Sequence, residues 1–441
     1  MRTSNKRIMA AMAAVAALSM ALAGCGSSGG SDANKSGDTK SGGKVELTYL
    51  HRLPDKQGMT MVKDTVARWN KDHPNIQVKA TKFNGSPGDL IKKLETDVKA
   101  GNAPDLAQVG YAELPEVYTK GIVEDVTAEA GKYSKDFAEG PNKLMSVDGK
   151  VFGLPQDTGP MVYYYNKTEF DKLGIKVPTT AEEFIESAKK AAAQGKYIMT
   201  YQPDGAGMAF SALSGASSPW YEIKDGKWVV NVDTPGSKAT ADFYQQLLDA
   251  KAMNLTPSTD PSFAGAFHDG SIIGTVDAAW NAPIMMDWIG DAGKGQWRVT
   301  QIGDWFKNGE KTGPNGGSGV AAIKGTKHKA EAMEFLDWFN TQVPDLTSQG
   351  LIVAASTEKA KTPQSWTEFF GGQDVMAEFA KANANMGSFN YMPGFSAVSS
   401  AVGEAADKAG KGQAKVSDAF DAAQKTSLAT LKDYGLPIAK D

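Results

Sequence analysis

The sequence predicts an α/β protein whose first region forms a doubly wound sheet. Strand-like and helical patterns alternate along residues 45–109, and the links between them are short. A β-α-β-α-β order with short links implies right-handed crossovers within one sheet. The composition agrees, because 22% of the 441 residues are charged and 41% are hydrophobic, as in ordinary globular proteins. This length suggests two or three domains.

Each element of the first region has its own signal. Residues 45–51 carry apolar side chains on both faces, as a buried parallel strand requires. The next element is a helix, which Pro74 ends. It is followed by a strand at residues 76–83, a helix that ends at Gly101, and a strand at residues 105–109. The apolar residues at helical spacing are Met59, Val62, Val66 and Trp69 in the first helix and Leu90, Ile91, Leu94 and Val98 in the second.

A second region begins after residues 125–127. Residues 150–154 and 161–165 resemble a pair of strands, and residues 271–279 predict another strand. Thr180 and Glu183 form a capping-box signature at the start of a helix. Further helices are predicted around Phe243, Leu247 and Ala250, at residues 330–339, and in the Ala-rich tail from Val398 onward.

Charge and residue types exclude several classes of function. The net charge of −4 argues against a nucleic-acid partner, which needs a basic face. Cys25 is the sole cysteine, so neither a disulfide framework nor a four-cysteine zinc site is available. No phosphate-binding loop or zinc-protease motif occurs in the sequence. We therefore expect no metal, no cofactor and no catalytic residues. The four histidines are scattered, at His51, His73, His268 and His328.

The first residues resemble an export signal. Three basic residues precede an uncharged apolar run at residues 8–23, which is shorter than the roughly 20 residues of a membrane span. The run ends in Leu22-Ala23-Gly24-Cys25, which resembles the lipobox of bacterial lipoproteins. That resemblance implies a signal peptide at residues 1–24 and a lipid on the Cys25 thiol. The alternative is a plain secretory signal with an incidental cysteine.

The segment after the cysteine is the predicted tether. Residues 26–43 consist mainly of Gly, Ser, Asp and Lys, a composition typical of flexible linkers. We therefore expect an extracytoplasmic protein that a lipid on Cys25 anchors to the cell membrane without spanning it.

Several short segments occur in an order typical of one protein family. They are Leu47-Thr48-Tyr49, Trp69-Asn70, Ala103-Pro104-Asp105-Leu106, residues 147–155, Tyr163-Tyr164-Tyr165-Asn166-Lys167, residues 278–283, residues 316–321 and residues 332–336. Over roughly residues 45–435 the chain resembles an extracellular solute-binding protein of the maltose-binding type. Members of that family are receptors of carbohydrate ABC importers.

The resemblance implies a periplasmic-binding-protein type II fold, in which a hinge joins two α/β lobes around a ligand cleft. Lobe 1 would comprise residues 45–127 and 306–340, and lobe 2 residues 128–305 and 341–441, after a tether at residues 25–44. The ligand would be an oligosaccharide of two to four units, and the partners would be the permease subunits of the importer. We expect a monomer that closes on its ligand.

A sugar site needs flat aromatic platforms and carboxylate or amide groups that bind hydroxyls. Trp280 ends a predicted strand, where members of the family place a stacking tryptophan. Trp220 lies on a loop rich in Pro and Ser, and loops often carry binding groups. For both residues the alternative is a tryptophan in the hydrophobic core.

Polar and aromatic residues near strand ends complete the predicted site. Ligands of open α/β sheets bind at the carboxyl ends of the strands. Tyr111 and Glu113 follow the third strand, His51 and Asp55 follow the first, and Asp157 enters the second region. Each has a structural alternative, as a packed aromatic, a solvated acid or a buried histidine. The remaining candidates are Gly317, Ser318, Asn390 and Tyr391.

Other functions remain open at this level. A surface-anchored glycoside hydrolase would also need aromatic residues and a pair of carboxylates. A binding protein of the same fold for a peptide or another polar solute is a second alternative. A lipid-anchored adhesion module, which needs no cleft, is a third.

Overall fold

The computed structural model describes residues 43–56, 59–387 and 389–439. The predicted signal peptide, Cys25 and the tether up to residue 42 lie outside these ranges. Within them, no helix is both long enough and apolar enough to cross a membrane.

The predicted sheet is present, and it is larger than its first three strands. β1 pairs with β2 and with β3 in parallel, as the alternating pattern predicts. Within the described residues the sheet has eight strands in the order β10-β6-β11-β3-β1-β2, with β9 and β12 also paired to β6. The strands are β1 Val45–His51, β2 Ile76–Lys82, β3 Leu106–Gly110, β4 Ser146–Val147, β5 Lys150–Val151, β6 Gly153–Asn166, β7 Tyr221–Lys224, β8 Lys227–Val230, β9 Gly274–Ala278, β10 Trp297–Thr300, β11 Pro314–Ala322 and β12 Ile352–Val353.

Helices surround the sheet, and most of those predicted are found. The helices are α1 Val62–Asp72, α2 Pro87–Ala100, α3 Leu114–Thr119, α4 Thr127–Ala130, α5 Glu139–Leu144, α6 Lys167–Leu173, α7 Ala181–Ala192, α8 Ala206–Gly215, α9 Pro235–Asp249, α10 Pro261–His268, α11 Ala282–Ile289, α12 Lys329–Asn340, α13 Val343–Ser348, α14 Gln364–Phe369, α15 Val375–Ala384, α16 Phe395–Gly410 and α17 Ser417–Asp433. Short 3-10 segments occur at Gly131–Asp136, Pro203–Gly205, Ala279–Asn281 and Asp291–Gly293.

Local capping fixes several helix ends. Thr180 and Glu183 form the predicted capping box of α7, and Ser86 with Asp89 forms another at α2. Gly101 ends α2 in the left-handed conformation, with φ of 73°. α1 begins at Val62 rather than near Met59, because the backbone before it stays extended.

The strand pair predicted at residues 150–154 and 161–165 is wrong. Residues 153–166 form one continuous strand, β6, because no turn interrupts the segment between them. The first half of β6 pairs with β11 and β12, and the second half pairs with β9 and β10, all antiparallel. Pro155 and Pro160 are accommodated where the ladder to β11 is irregular, which fits their missing N–H groups.

Three clusters of buried apolar side chains stabilise the fold. The first packs α1 and α12 against β1 and includes Trp69, Phe335 and Phe339. The second includes Phe184, Phe243 and Trp305. The third includes Tyr164, Trp297 and Phe379. Burial on this scale is the main favourable term in folding, at roughly 25 cal/mol for each Å² of apolar surface.

Candidate functional site

A cleft of about 560 Å³ opens at the carboxyl ends of β1 and β3. The segments around β1, α2 and β3 contribute Arg52, Leu53, Pro54, Lys56, Met59, Pro87, Gln108, Gly110, Ala112 and Glu113. α8, the turn after β9 and α11 contribute Met208, Trp280, Pro283, Ile284 and Asp287. β6, β11 and the segment after α13 contribute Asp157, Asn315, Gly316, Gly317, Ser318, Gln349, Gly350 and Leu351. Apolar, aromatic and charged groups therefore meet in one cavity of the size that small ligands occupy.

A chain of hydrogen bonds connects β6, β11 and β3 with the residue after β1 inside the cleft. Oδ1 of Asp157 accepts from the backbone N–H of Ser318 at 2.8 Å and from its hydroxyl at 2.6 Å. The Ser318 hydroxyl oxygen accepts from Nε2 of Gln108 at 2.9 Å. The Gln108 amide oxygen accepts from the backbone N–H of Arg52 at 2.7 Å. Because each group is held by its neighbour, the polar part of the cleft is preorganised.

Two carboxyl groups lie in the cleft, Asp157 buried and Glu113 half-buried, and desolvation is the main cause of the pKa shift of both. Desolvation raises the pKa of Asp157 to about 6, although the Ser318 hydrogen bonds and the charge of Arg52 oppose the shift. Desolvation also raises the pKa of Glu113, against the charge of Arg52 and a hydrogen bond from the backbone of Gly110. Arg52 is thus a cation that acts on both acids.

The position of the Glu113 carboxylate depends on the glycine at position 110, the last residue of β3. Glu113 precedes α3, and its carboxylate lies directly over Gly110 at the end of β3. A Cβ atom on Gly110 would overlap with that carboxylate, so only glycine leaves room for it. The sequence Gly110-Tyr111-Ala112-Glu113 therefore turns an acidic side chain back into the cleft.

Trp280 is fixed by β11. It lies on the 3-10 turn after β9, is half-buried, and donates a hydrogen bond of 2.8 Å from Nε1 to the backbone oxygen of Asn315. The next two residues of β11 are Gly316 and Gly317, with φ of 83° and 89°. A Cβ atom on Gly316 would lie 3.1 Å from Nε1 of Trp280, and one on Gly317 would lie 2.9 Å from the Tyr111 ring. The Gly-Gly pair thus lets two aromatic side chains approach the strand.

The structure brings five of the predicted site residues together in the cleft, namely Glu113, Asp157, Trp280, Gly317 and Ser318. They come from β3, β6, β9 and β11 or from the turns that follow these strands. Their arrangement puts an indole ring, two carboxyl groups, a hydroxyl and exposed backbone in one cavity.

Trp220 does not line the cleft, which corrects its predicted stacking role. It is 1% exposed and packs edge-on against Phe389 and Phe420. Its Nε1 donates to the hydroxyls of Ser214 and Ser237, both at 3.1 Å. The indole N–H is therefore satisfied inside the core, and the Pro/Ser-rich loop around Trp220 is covered by residues distant in sequence.

Two predicted tyrosines support the cleft from behind. Tyr111 is buried, and its hydroxyl donates to the backbone oxygen of Asp157 at 2.8 Å. Tyr391 is buried, and its hydroxyl donates to the backbone oxygen of Pro314 at 3.0 Å. Neither ring lines the cavity, but each hydroxyl fixes a strand that does. Asn390 is exposed and also lies outside the cavity lining.

His51 and Asp55 have structural contacts instead of lining the cleft. His51 is 3% exposed, its Nε2 lies 4.0 Å from Oδ2 of Asp55, and burial lowers its pKa. Oδ1 of Asp55 accepts from the backbone N–H of Val62 at 3.0 Å and from Nε2 of Gln349 at 2.6 Å. The Asp55 carboxylate thus holds the first residue of α1, Val62, and the side chain of Gln349, which follows α13.

Sequence reasoning missed several polar residues of the cleft, namely Arg52, Lys56, Gln108, Asp287 and Asn315. Gln108 had a usable signal, because it is an amide in the otherwise apolar strand Leu106–Gly110. Arg52 had a weaker one, because it follows directly after the first strand. Lys56 lies next to another charged residue, Asp55, and carried no signal. Asp287 had one, because it is the single charged residue of the otherwise apolar α11.

The described residues contain no group of three or more His, Cys, Asp or Glu side chains placed to hold a metal ion. The residues that line the cleft offer hydrogen bonding, charge and contact with an aromatic face.

Comparison with known sequences identifies one family. The family model described as bacterial extracellular solute-binding protein matches residues 55–342. An arabinooligosaccharide-binding protein of Bacillus subtilis is 26% identical, over 72% of this chain and 72% of its own length. A diacetylchitobiose-binding protein of Streptomyces coelicolor is 25% identical, over 75% of this chain and 77% of its own length.

Solved structures agree with these sequence matches. The galacto-N-biose/lacto-N-biose I-binding protein of an ABC transporter from Bifidobacterium longum, in complex with lacto-N-biose, is 64% identical. The match covers 90% of this chain and 100% of that chain, with a TM-score of 0.88. The sugar-binding protein MalE from Xanthomonas citri shares the fold at 14% identity, over 88% of this chain and 98% of its own, with a TM-score of 0.72. The predicted two-lobed fold of the maltose-binding type is thus confirmed.

Proposed function

This chain belongs to the family of bacterial extracellular solute-binding proteins, and from that premise we propose that its cleft captures a short oligosaccharide for an ABC importer. The observation that carries the proposal is the placement of the Trp280 ring in one cavity with the carboxyl groups of Glu113 and Asp157. Sugars present apolar ring faces and hydroxyl edges, so they need both kinds of group at once.

We further propose that the ligand is a disaccharide related to lacto-N-biose. The solute-binding protein with 64% identity was solved with lacto-N-biose, whereas the curated relatives named for other sugars share about a quarter of their residues with this chain. Only one oxygen of Asp157, Oδ1, accepts from Ser318. In our proposal Oδ2 accepts from a sugar hydroxyl, Arg52 donates to ring or hydroxyl oxygens, and Trp280 stacks on one ring face.

Titration calorimetry with a sugar panel tests this function. The panel contains lacto-N-biose, galacto-N-biose, lactose, β-1,6-galactobiose and maltose, all offered to the mature protein. We expect lacto-N-biose or galacto-N-biose to bind most tightly, with contraction of the protein in small-angle X-ray scattering as the cleft closes. A folded protein that gives no heat with any of these sugars would overturn the sugar proposal and favour a peptide or another polar solute.

We also infer that the cleft binds sugar without cleaving it. The family is one of binding proteins, but a pair of carboxyl groups in one cleft is also what a glycoside hydrolase requires. Prolonged incubation with lacto-N-biose, followed by chromatography, should leave the disaccharide intact. Two results together would instead favour the hydrolase. The wild type would release free monosaccharide, and the Glu113→Gln or Asp157→Asn variant would not.

The boundaries of the two lobes remain part of the proposal. We assign residues 45–127 and 306–340 to lobe 1 and residues 128–305 to lobe 2, with the C-terminal helices. We move α13 to lobe 1, because its Asp345 binds Arg68 and Thr65 of α1. Hydrogen exchange with and without lacto-N-biose tests this division, since protection should concentrate on the cleft walls and the strands that connect them.

Finally, we propose that a lipid on Cys25 anchors the receptor outside the cell. We also propose that the receptor acts as a monomer. The lipobox-like segment and the Gly/Ser-rich tether support the anchor. A Cys25→Ser variant expressed in the native host should appear in the soluble extracytoplasmic fraction, whereas a matched Ser27→Ala variant should stay with the membrane. Membrane attachment of the Cys25→Ser variant would contradict the lipid anchor. Light scattering of the mature protein tests the monomer.

A further inference from the structure

An ion pair joins two distant parts of the chain across the mouth of the cleft. Nζ of Lys56 lies 3.1 Å from Oδ2 of Asp287. Lys56 belongs to the loop after β1, and Asp287 belongs to α11. Both line the cavity, yet their side chains are 55% and 66% exposed, so the pair lies at the solvent edge of the cleft.

The loop that carries Lys56 is bound to the segment after α13. Gln349 donates from Nε2 to Oδ1 of Asp55 at 2.6 Å and to the backbone oxygen of Thr60 at 2.7 Å. Its amide oxygen accepts from the backbone N–H of Asp55 at 2.8 Å. Residues 52–56, 59–60 and 349–351 therefore form one wall of the cleft, and Lys56 is held on that wall.

The same wall also touches α11 through a second contact. A Cβ atom on Gly350 would lie 2.7 Å from Cγ of Pro283, so the wall and the helix are in close contact there. Pro283, Ile284 and Asp287 share the face of α11 that lines the cavity. α11 thus presents an apolar contact to the wall inside the cleft and an acid to Lys56 at its mouth.

We propose that Lys56 and Asp287 form an electrostatic latch that favours the closed cleft and slows the release of its ligand. The inference deepens the proposed function, because it assumes that the walls separate when the ligand leaves. Separation of the walls breaks the pair, so the pair stabilises only the closed state. An exposed pair of this kind accounts for a roughly 1.5- to 5-fold change in the closed population. Salt weakens it, because both charges face solvent.

A double-mutant cycle tests the latch. The variants are Lys56→Ala, Asp287→Ala, the double variant, and the exchange Lys56→Asp with Asp287→Lys. Dissociation of lacto-N-biose is followed by tryptophan fluorescence in 20 mM and 500 mM NaCl. We expect each single variant to release sugar roughly 1.5- to 5-fold faster at low salt, the double variant to be no faster than the single ones, and the exchange to restore slow release. At high salt the differences should disappear.

Two outcomes would overturn the latch. If Lys56 acts by touching the sugar, Lys56→Ala will speed sugar release by the same factor in the Asp287→Ala background as in the wild type. If the pair has no effect on closure, the exchange variant will release sugar as fast as the single variants. The matched control is Lys143→Ala, which removes another exposed lysine, paired with Glu139 within α5, and should change nothing.

A measurement without ligand separates the latch from the proposed function. Spin labels replace the exposed residues Lys63 of α1 and Asp291 of the 3-10 segment after α11, and they report the distance between the two sides of the cleft in the ligand-free protein. The Lys56→Ala and Asp287→Ala variants should shift this distance toward longer values at low salt, relative to Lys143→Ala. If no sugar binds the wild type, the proposed function fails while this shift still supports the latch. An unchanged distance distribution in both variants overturns the latch whatever the ligand is.

Discussion

The indole Nε1 of Trp280 donates a hydrogen bond of 2.8 Å to the backbone oxygen of Asn315, so the ring is fixed to β11 directly before the Gly316-Gly317 pair of that strand. This bond uses the polar atom of the indole and leaves its faces for contact with a ligand. Trp280 lines the cleft and is half-buried.

Trp280→Ala should therefore weaken sugar binding far more than it destabilises the fold. Loss of an aromatic platform is expected to cost about tenfold or more in affinity, because burying such a side chain contributes roughly 1.5–3 kcal/mol. Loss of the Asn315 hydrogen bond should cost only about 1 kcal/mol of unfolding free energy. Calorimetry and urea denaturation of the same samples measure both effects. Trp280→Phe is the matched variant and should retain part of the affinity.

Trp220→Ala should have the opposite effect. Trp220 is buried among aromatic rings and satisfied by two hydroxyls, so its truncation should cost roughly 3–5 kcal/mol of unfolding free energy. The fraction that remains folded should bind lacto-N-biose with unchanged affinity, because Trp220 lies outside the cavity lining. A stable Trp220→Ala protein with weak binding would return this residue to the ligand site.

The contrast between these two tryptophans shows what the sequence could and could not predict. Trp280 follows a strand, and its position could be inferred from local pattern and family resemblance. Trp220 lies on a loop whose composition suggests exposure, but Ser237, Phe389 and Phe420 cover it. These partners are far away in sequence, so no local pattern reports them.

The same distinction holds for the fold. β1, β2 and α2 were predicted because each carries its own hydrophobic period, and Gly101 marks the end of α2. β6 was predicted as two paired strands, because hydrophobic period cannot distinguish a hairpin from one long strand that changes partners. Its partners β9, β10, β11 and β12 all come later in the chain. The ion pair of Lys56 and Asp287 likewise joins residues far apart in the sequence, so no local pattern predicts it.

Asp157→Asn should separate binding from stability. The buried Asp157 carboxyl has its pKa raised from 3.8 to about 6, so the folded protein binds its proton more tightly than the unfolded chain does. Its contribution to stability is therefore complete below pH 3.8 and is lost as the pH rises through 6. At pH 7.5 the uncharged Asn should stabilise the ligand-free fold by about 1–3 kcal/mol relative to the wild type. Urea denaturation across pH 4–8 measures the difference, which should shrink at low pH.

Sugar affinity should follow the opposite pH dependence. If the ionised Asp157 accepts from a hydroxyl, binding favours the deprotonated form, and affinity should fall by about tenfold between pH 7.5 and pH 5. The Asp157→Asn variant should bind more weakly at pH 7.5 and lose this part of the pH dependence. A variant that binds as tightly as the wild type at every pH would remove Asp157 from the ligand contacts.

Gly317→Ala should damage the site through the backbone. Gly317 has φ of 89°, where an L-residue is strained by about 1–2 kcal/mol, and its Cβ would lie 2.9 Å from the Tyr111 ring. Displacing Tyr111 would disturb its hydrogen bond to the backbone of Asp157, so sugar affinity should fall together with stability. We expect a loss of roughly 2–5 kcal/mol of unfolding free energy, since overpacking adds its own cost.

Gly101→Ala is the matched control, with φ of 73° and no atom within 4 Å of the new Cβ. It should cost only about 1 kcal/mol and leave affinity unchanged. Equal losses in the two variants would mean that the contact with Tyr111 is unimportant and that only the φ angle restricts position 317 to glycine.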